Sequence, residues 1–241
     1  MSDGQRFTKR GFDLAFSLLG LLAVGWLILL CWIAATISTR MNGFFLQDRV
    51  GYKGRVFRII KIRTMRPIAG MTTPVTTEND ARITLLGAWM RRWKLDELPQ
   101  LLNVLAGQMS FVGPRPDVAG FADRLTGTDR IVLSVRPGIT GPATLVFRNE
   151  EELLARCSDP EEFNRRVIYP AKVKINRHYI ENYSFRKELL FVAATLIPRL
   201  RLRTAYANLR DHQTSLAVPR VVSPPRTQPV ASLVAEPARR G

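Results

Sequence analysis

The chain has 241 residues, enough for one domain of ordinary size with accessory segments and a buried core. Its formal net charge of +16 and pI near 10.9 call for an anionic partner: a nucleic acid, an anionic membrane surface or phosphorylated substrates. The two cysteines and two histidines argue against a disulfide framework, a zinc site and a histidine-based catalytic triad. We therefore expect chemistry that depends on carboxylates and cations.

An apolar segment near the start of the chain is the first recognisable element. Residues 14–37 contain no charged side chain, and roughly 20 such residues suffice for a helix that crosses a bilayer. A cleaved signal peptide is the competing interpretation, but the segment exceeds the usual apolar region and no small-residue cleavage pattern follows it. We therefore predict a membrane-embedded segment over residues 1–40, which favours a membrane over nucleic acid as the anionic partner.

Basic residues flank this apolar segment on both sides. They are Arg6, Lys9 and Arg10 before it, and Arg40, Arg49, Lys53 and Arg55 after it. Because basic flanks favour the cytoplasmic face, a simple span would place one of the two flanks on the unfavourable side. A re-entrant helix, which enters and leaves on the same face, keeps both flanks inside, and charge alone favours this form.

Three segments are predicted after the membrane segment. Residues 55–63 alternate basic and apolar side chains imperfectly, which fits a short strand or an extended surface segment. Residues 66–80 are rich in Thr, Pro and Gly and are predicted to form a loop. Residues 83–94 fit a helix with two tryptophans on one face and basic neighbours, typical either of a membrane-surface helix or of a packed amphipathic helix.

The second half of the chain contains further helical segments and a tail. Residues 150–166 form a charged helical stretch, residues 172–181 a second one, and residues 189–202 an apolar and basic segment that could also touch the membrane. Beyond position 203 the composition turns to Pro, Arg and Ser, so residues 204–241 are predicted to be a disordered basic tail. We assign residues 41–203 to one catalytic domain.

An Asp-Glu pair is the first candidate for chemistry. Asp96 and Glu97 precede Pro99, and proline is tolerated in the first turn of a helix, so this spacing predicts Asp96 at or near the N-cap of a helix that stops near Gly107. A helix N-terminus favours an anion, and an ionised aspartate there could attack phosphorus to form an acyl phosphate. Taken alone, a structural N-cap is the commoner explanation of such a pair.

Arginines in stiff loops are the second candidate feature. Arg115 stands between two prolines, and Arg136 precedes a Pro-Gly pair. A rigidly held arginine loses less entropy on binding and can hold a phosphate with two hydrogen bonds, so two such loops suit a diphosphate. Lys61 and Arg63 add cations from the segment after the membrane. The alternative for each arginine is a hydrogen bond to backbone carbonyls.

The order of these features resembles the bacterial sugar transferases, also called monotopic phosphoglycosyl transferases, which include initiating enzymes of capsule, exopolysaccharide and O-antigen synthesis. The matching stretches are residues 9–13, 47–51, 57–65, 95–105, 109–116 and 135–141. They lie in the family's order and at its spacing over roughly residues 9–200. The resemblance implies a mostly helical α/β fold with little sheet, a re-entrant membrane helix, interfacial amphipathic helices and a catalytic domain facing the cytoplasm at the bacterial inner membrane.

The resemblance also implies a reaction. Asp96 would be the nucleophile that attacks the sugar-bearing phosphorus of a UDP-sugar and releases UMP, and polyprenyl phosphate would then take the phosphosugar. Asp96 and Glu97 would lie beside Mg²⁺, the expected partner of phosphate oxygens in this chemistry. Arg115 and Arg136 would hold phosphate groups, with Lys61 or Arg63 assisting.

Departures from the family pattern and alternative functions complete the sequence-based expectations. Gly25 and Trp26 stand where many members carry Ser-Pro, and Asn176 stands where some carry an aspartate. A non-catalytic membrane scaffold of a polysaccharide assembly complex is the alternative function, and a homo-oligomer is compatible with either. A nucleic-acid-binding protein is not favoured, because neither a helix-turn-helix nor an aromatic stacking motif is found.

Overall fold

The computed structural model describes residues 1–68, 76 and 80–197. Its α-helices are α1 (Asp3–Thr39), α2 (Leu85–Arg92), α3 (Gln100–Leu105), α4 (Pro142–Val146), α5 (Glu150–Ala155), α6 (Pro160–Phe163), α7 (Tyr169–Glu181) and α8 (Phe185–Leu196). Its strands are β1 (Phe44–Val50), β2 (Val56–Ile62), β3 (Ser110–Val112) and β4 (Gly138–Thr140). The expectation of a mostly helical fold with little sheet is confirmed for this part of the chain. The predicted tail 204–241 and most of the predicted loop 66–80 lie outside the described residues.

Helix α1 is a single helix of 37 residues, about 55 Å long at the usual rise per residue. Ser2 and Gln5 form a capping box at its start, and Arg40 ends it in the left-handed conformation. It is the one helix of the described residues that is long and apolar enough to cross a membrane, judged by length and composition. Because α1 is continuous through Gly25 and Trp26, the turn that a re-entrant path needs is not found there, and that path stays a prediction.

One side of α1 packs along the rest of the protein. Ile28, Cys31 and Ala35 are buried in a cluster with Ile62 of β2 and Met90 of α2. The other side of α1 is exposed and apolar, through Leu14, Phe16, Leu18, Leu19, Leu22, Trp26, Leu29, Leu30, Ile33 and Ile37. A contiguous apolar surface of this size is typical of a face that lipid or another partner covers.

Buried polar contacts fix the start of α1 to strand β3. The Lys9 ammonium donates hydrogen bonds to the Glu188 carboxylate at 2.5 Å and to the Val112 carbonyl at 3.0 Å. The Asp13 carboxylate accepts one from the Ser110 hydroxyl at 3.0 Å, and another from the following backbone N–H. Charged groups are buried at low cost only when they are paired in this way, so the side of α1 that carries Lys9 and Asp13 packs into the domain's interior.

Two small sheets position the central loops. Strands β1 and β2 form an antiparallel hairpin, while β3 and β4 pair in parallel. The loops after β3 and before β4 run so close together that a Cβ atom added at Gly113 would lie 2.4 Å from the Arg136 carbonyl oxygen. Glycine at position 113 is therefore required by the close approach of the two arginine-bearing loops.

Most predicted elements are confirmed, and one is wrong. The segment 55–63 contains β2, the helix predicted over 83–94 is α2, and the one predicted over 172–181 lies within α7. The predicted continuous helix over 150–166 is interrupted between α5 and α6. The Asp159 carboxylate accepts a hydrogen bond from the backbone N–H of Glu162, and Pro160 occupies the first turn, so a new helix begins there.

Candidate active site

Asp96 and Glu97, hereafter the dyad, lie in a short 3₁₀ helix (Leu95–Glu97) between α2 and α3. Lys94, in the left-handed conformation with φ of 57°, precedes this turn, and α3 begins only after Pro99. The prediction that Asp96 caps the following helix is therefore wrong. A backbone reversal at Lys94 and a separate tight turn, rather than the helix end, orient both carboxylates.

The Asp96 side chain is buried but incompletely bonded. The residue is 7% exposed, and its Oδ1 atom has no hydrogen-bond partner among the described residues. Burial raises the pKa of this carboxyl, and the neighbouring charge of Glu97 raises it further. A buried polar atom without a partner costs free energy, and such atoms concentrate where a ligand or reactant completes the site.

Glu97, in contrast, is held by two cations. The Arg115 guanidinium donates to both of its oxygens, at 2.6 and 3.4 Å, and the Lys61 ammonium lies 3.9 Å from Oε1. Burial alone would raise the pKa of Glu97, but the charges of Arg115 and Lys61 outweigh burial and hold the pKa well below its ordinary value. Glu97 is consequently ionised throughout the neutral range and fixes both cations beside Asp96.

Lys61 lies on β2, with its side chain largely covered. Burial and the nearby charge of Arg115 lower the pKa of Lys61 to about 8, although Glu97 acts in the opposite direction. The structure thus brings together four of the six predicted site residues: the dyad, Arg115 and Lys61.

The other two predicted cations lie elsewhere. Arg63 donates to the Asn42 carbonyl at 2.7 Å, where it supports the connection between α1 and β1. Arg136 donates to the Gly107 carbonyl at 2.8 Å and lies over the Tyr52 ring. No contact within the described ranges joins either arginine to the dyad, so their roles in phosphate binding stay predictions.

Arg49 was not predicted as a site residue, yet it lies beside Arg115. Its guanidinium donates to the Gln47 side-chain oxygen from Nε at 3.1 Å and from Nη2 at 2.5 Å, and to the Pro116 carbonyl from Nη1 at 3.1 Å. Burial and the charge of Arg115 lower the pKa of Arg49 to about 10. Gln47 and Arg49 are two positions apart on a strand and so share a face, which was the signal available in the sequence.

Asp117, one residue beyond Pro116, completes the charged surroundings. Burial raises its pKa to about 6, while the charges of Lys172, Arg49 and Arg115 lower it. The site therefore places three cations and three carboxylates within a small volume, and the state of each depends on the others.

The dyad also bears on the predicted Mg²⁺ site. No group of three or more metal-ligating side chains is found in the described part of the chain. Mg²⁺ commonly takes only one or two protein carboxylates and completes its shell with substrate phosphates and water. The unpartnered oxygen of Asp96 and the adjacent Glu97 carboxylate fit that requirement, and the use of Mg²⁺ stays a prediction.

Comparisons with known proteins identify the family to which this chain is similar. Residues 4–201 match the family described as bacterial sugar transferase. The chain is 31% identical over 205 residues to the exopolysaccharide production protein ExoY of Sinorhizobium fredii, covering 78% of this chain and 84% of that one.

Longer relatives also match. The undecaprenyl-phosphate glucose phosphotransferase of Komagataeibacter xylinus is 33% identical over 214 residues, covering 86% of this chain and 38% of that protein. The UDP-glucose:undecaprenyl-phosphate glucose-1-phosphate transferase of Escherichia coli is 34% identical over 175 residues, covering 70% and 37%. The chain thus spans most of ExoY but well under half of these longer proteins. By this match over most of its length, the chain belongs to the bacterial sugar transferase family.

Proposed function

We propose that this protein transfers a phosphosugar from a UDP-sugar to undecaprenyl phosphate, releasing UMP. The observation that carries the proposal is the buried Asp96 carboxylate, which has an unpartnered oxygen and lies beside the ion-paired Glu97, Arg115 and Lys61. Relatives named for transfer of glucose phosphate to undecaprenyl phosphate support this substrate pair. ExoY, named for exopolysaccharide production, supports a role in polysaccharide synthesis. The reaction would initiate exopolysaccharide, capsule or O-antigen synthesis.

The first chemical step joins the enzyme to the phosphosugar. An Asp96 carboxylate oxygen attacks the phosphorus that bears the sugar, an oxygen–phosphorus bond forms, and the bond from that phosphorus to the bridging oxygen breaks. UMP leaves with the bridging oxygen and its electron pair. A carboxylate taken out of water retains fewer solvent hydrogen bonds that must be broken before attack.

The second step releases the product. A phosphate oxygen of undecaprenyl phosphate attacks the same phosphorus, the bond to Asp96 breaks, and the carboxylate is regenerated as undecaprenyl-diphosphate-sugar leaves. Charge moves across the phosphoryl group in both steps, and the fixed cations Arg115 and Lys61 stabilise that charge without reorganisation. Arg136 and Arg63 are proposed as further phosphate ligands. Mg²⁺, held by the dyad, would neutralise the diphosphate and aid departure of UMP.

A membrane location suits the lipid acceptor. The exposed apolar side of α1 offers a surface for lipid, and the basic residues around it favour the cytoplasmic side of the bacterial inner membrane. The proposed orientation places the catalytic domain in the cytoplasm, where a water-soluble nucleotide-sugar and a membrane-bound polyprenyl phosphate are both within reach.

The test is release of UMP by the purified full-length protein in detergent, with Mg²⁺, undecaprenyl phosphate and a panel of UDP-sugars. Asp96→Asn should lower turnover on the order of 10³-fold or more, because an amide is a poor nucleophile. Asp48→Asn is the matched control, since the Asp48 side chain is 69% exposed and lies away from the dyad on β1. Without acceptor, the wild type should retain labelled phosphosugar after acid quench.

Two outcomes would contradict the proposal. Normal turnover by Asp96→Asn would exclude the covalent mechanism. If well-folded wild-type protein releases no UMP from any UDP-sugar of the panel, the result would instead favour the non-catalytic scaffold.

A further inference from the structure

We propose that Arg49 binds the diphosphate of the nucleoside-diphosphate donor and that Gln47 holds the Arg49 side chain in position. This inference rests on the proposed function for the identity of the ligand. Arg49 lies on β1, and its side chain reaches the loop after β3, where it donates to the carbonyl of Pro116. The contact spans 67 positions of sequence and sets Arg49 next to Arg115.

The hydrogen bonds of Arg49 leave part of its guanidinium available. An arginine carries five N–H donors in a planar fork. Three are used: Nε and one hydrogen of Nη2 on Gln47, and one hydrogen of Nη1 on Pro116. Within residues 1–68, 76 and 80–197, the second hydrogen of each terminal nitrogen has no partner. A guanidinium that is already fixed and retains two N–H groups is suited to a phosphate.

Charge around Arg49 points to an anionic ligand. No carboxylate forms an ion pair with Arg49 among the described residues, although Asp117 and Glu97 are close enough to favour its charged form. Arg115 directs its donors to Glu97, and Lys61 shares the same carboxylate oxygen. Among the described residues, Glu97 is the carboxylate of the site that forms ion pairs, and it forms them with Arg115 and Lys61 rather than with Arg49.

An exposed arginine of the same hairpin provides the contrast. Arg58 of β2 lies 3.5 Å from the Asp48 carboxylate, and its side chain is 74% exposed. Arg49 instead lies partly buried against Arg115, an arrangement that costs free energy unless an anion joins the two guanidinium groups. A diphosphate supplies that anion and reaches from Arg49 toward the dyad.

The experiment measures binding without turnover. Affinities for UDP and for uridine are determined by calorimetry or ligand-observed NMR on the full-length protein in detergent. Arg49→Ala should weaken UDP binding roughly 10- to 100-fold, the usual effect of losing a charge-assisted hydrogen-bond pair. Arg49→Lys should weaken it at least about 5-fold, because a lysine cannot form the fork. Arg58→Ala is the control and should bind UDP like the wild type.

Uridine carries no phosphate, so its affinity shows whether a variant has lost phosphate binding or has a generally distorted site. Arg49→Lys should leave uridine binding unchanged, and Gln47→Ala should reproduce part of the UDP loss. In turnover, Arg49→Lys should raise the KM for UDP-sugar more than it lowers kcat, because Arg49 does not contact the dyad.

UDP affinity within twofold of wild type in Arg49→Lys and Arg49→Ala would overturn the inference. Equal weakening of UDP and uridine would overturn it too, since a distorted fold affects both ligands. If Arg49→Ala does not fold, Arg49→Lys decides alone. UDP binding that depends on Arg49, together with an absence of UMP release from every UDP-sugar, would refute the proposed function and leave the diphosphate site standing.

Discussion

Replacing Lys9 with methionine tests the energetic weight of the buried contacts between α1 and the domain. The side chains of Lys9 and Glu188 are 9% and 1% exposed, and the Glu188 oxygen that Lys9 binds also accepts from the Tyr179 hydroxyl. Burial already raises the pKa of Glu188, while Lys9 opposes that rise. Without Lys9 the carboxylate must stay charged and uncompensated or take up a proton.

The free energy of protonating Glu188 sets the expected loss of stability in Lys9→Met. Protonating a glutamate with an ordinary pKa near 4.3 costs about 3.7 kcal/mol at pH 7 and about 1 kcal/mol at pH 5, at 1.36 kcal/mol per unit. This limit agrees with the roughly 3–5 kcal/mol found when one partner of a buried ion pair is removed. Because the folded variant binds a proton that the unfolded chain releases, its stability should rise as the pH falls from 7 to 5.

The assay is denaturant unfolding of the full-length protein in a nonionic detergent, followed by tryptophan fluorescence at both pH values. Arg6→Met, on an exposed position of the same helix, is the matched control and should lose little stability. The double variant Lys9→Met, Glu188→Met should recover much of the loss. A loss below about 1 kcal/mol at pH 7, or an equal loss at both pH values, would refute the reasoning.

Four further predictions concern the site and the loops around it. The pKa of Lys61 is about 8, so the KM for UDP-sugar should rise between pH 7 and pH 9 as Lys61 loses its proton. In Lys61→Arg the KM, measured from initial rates of UMP release, should change less over this pH range. A pH dependence equal to that of the wild type would contradict the role of Lys61. Arg115→Ala should lower kcat/KM on the order of 100-fold or more, because it leaves Glu97 without its bidentate partner. Arg136→Ala should lower kcat/KM, as expected for a proposed phosphate ligand; a lower unfolding temperature with unchanged kcat/KM would leave Arg136 only its structural bond to the Gly107 carbonyl. Gly113→Ala should destabilise by about 1–3 kcal/mol, seen as a lower unfolding midpoint, because its Cβ would meet the Arg136 carbonyl oxygen. Gly11→Ala, with nothing within 4 Å, is its control and should not destabilise.

Local patterns account for the elements that could be predicted from sequence. The apolar face of α2 follows because side chains three and four positions apart share one side of a helix, and the alternation in β2 follows because successive side chains of a strand point to opposite faces. The interruption between α5 and α6 depends on a cap and a proline that were visible but outweighed by the charged helical pattern. The 3₁₀ turn of the dyad depends on the left-handed backbone at Lys94, and a lysine in the sequence does not indicate that conformation.

The site also contains residues that could be predicted from local sequence and others whose positions depend on tertiary packing. Arg115 could be predicted because flanking prolines restrict its loop, and the structure joins it to Glu97. Arg49 could not be placed beside it, since their proximity results from packing of β1 against a loop 67 positions away. Arg136 lies beside a proline as Arg115 does, and Arg63 was predicted as a cation of the segment after the membrane, but tertiary packing directs both to backbone carbonyls.

The docking of α1 along the domain has a practical consequence for protein production. Deleting residues 1–40 to obtain a water-soluble fragment would uncover Ile62 and Met90, which pack against Ile28, Cys31 and Ala35. It would also leave Glu188 without Lys9 inside the core. The apolar helix is thus a structural part of the domain as well as a membrane-facing surface. We expect such a fragment to aggregate, so enzymology on this protein must begin from the intact chain in detergent or lipid.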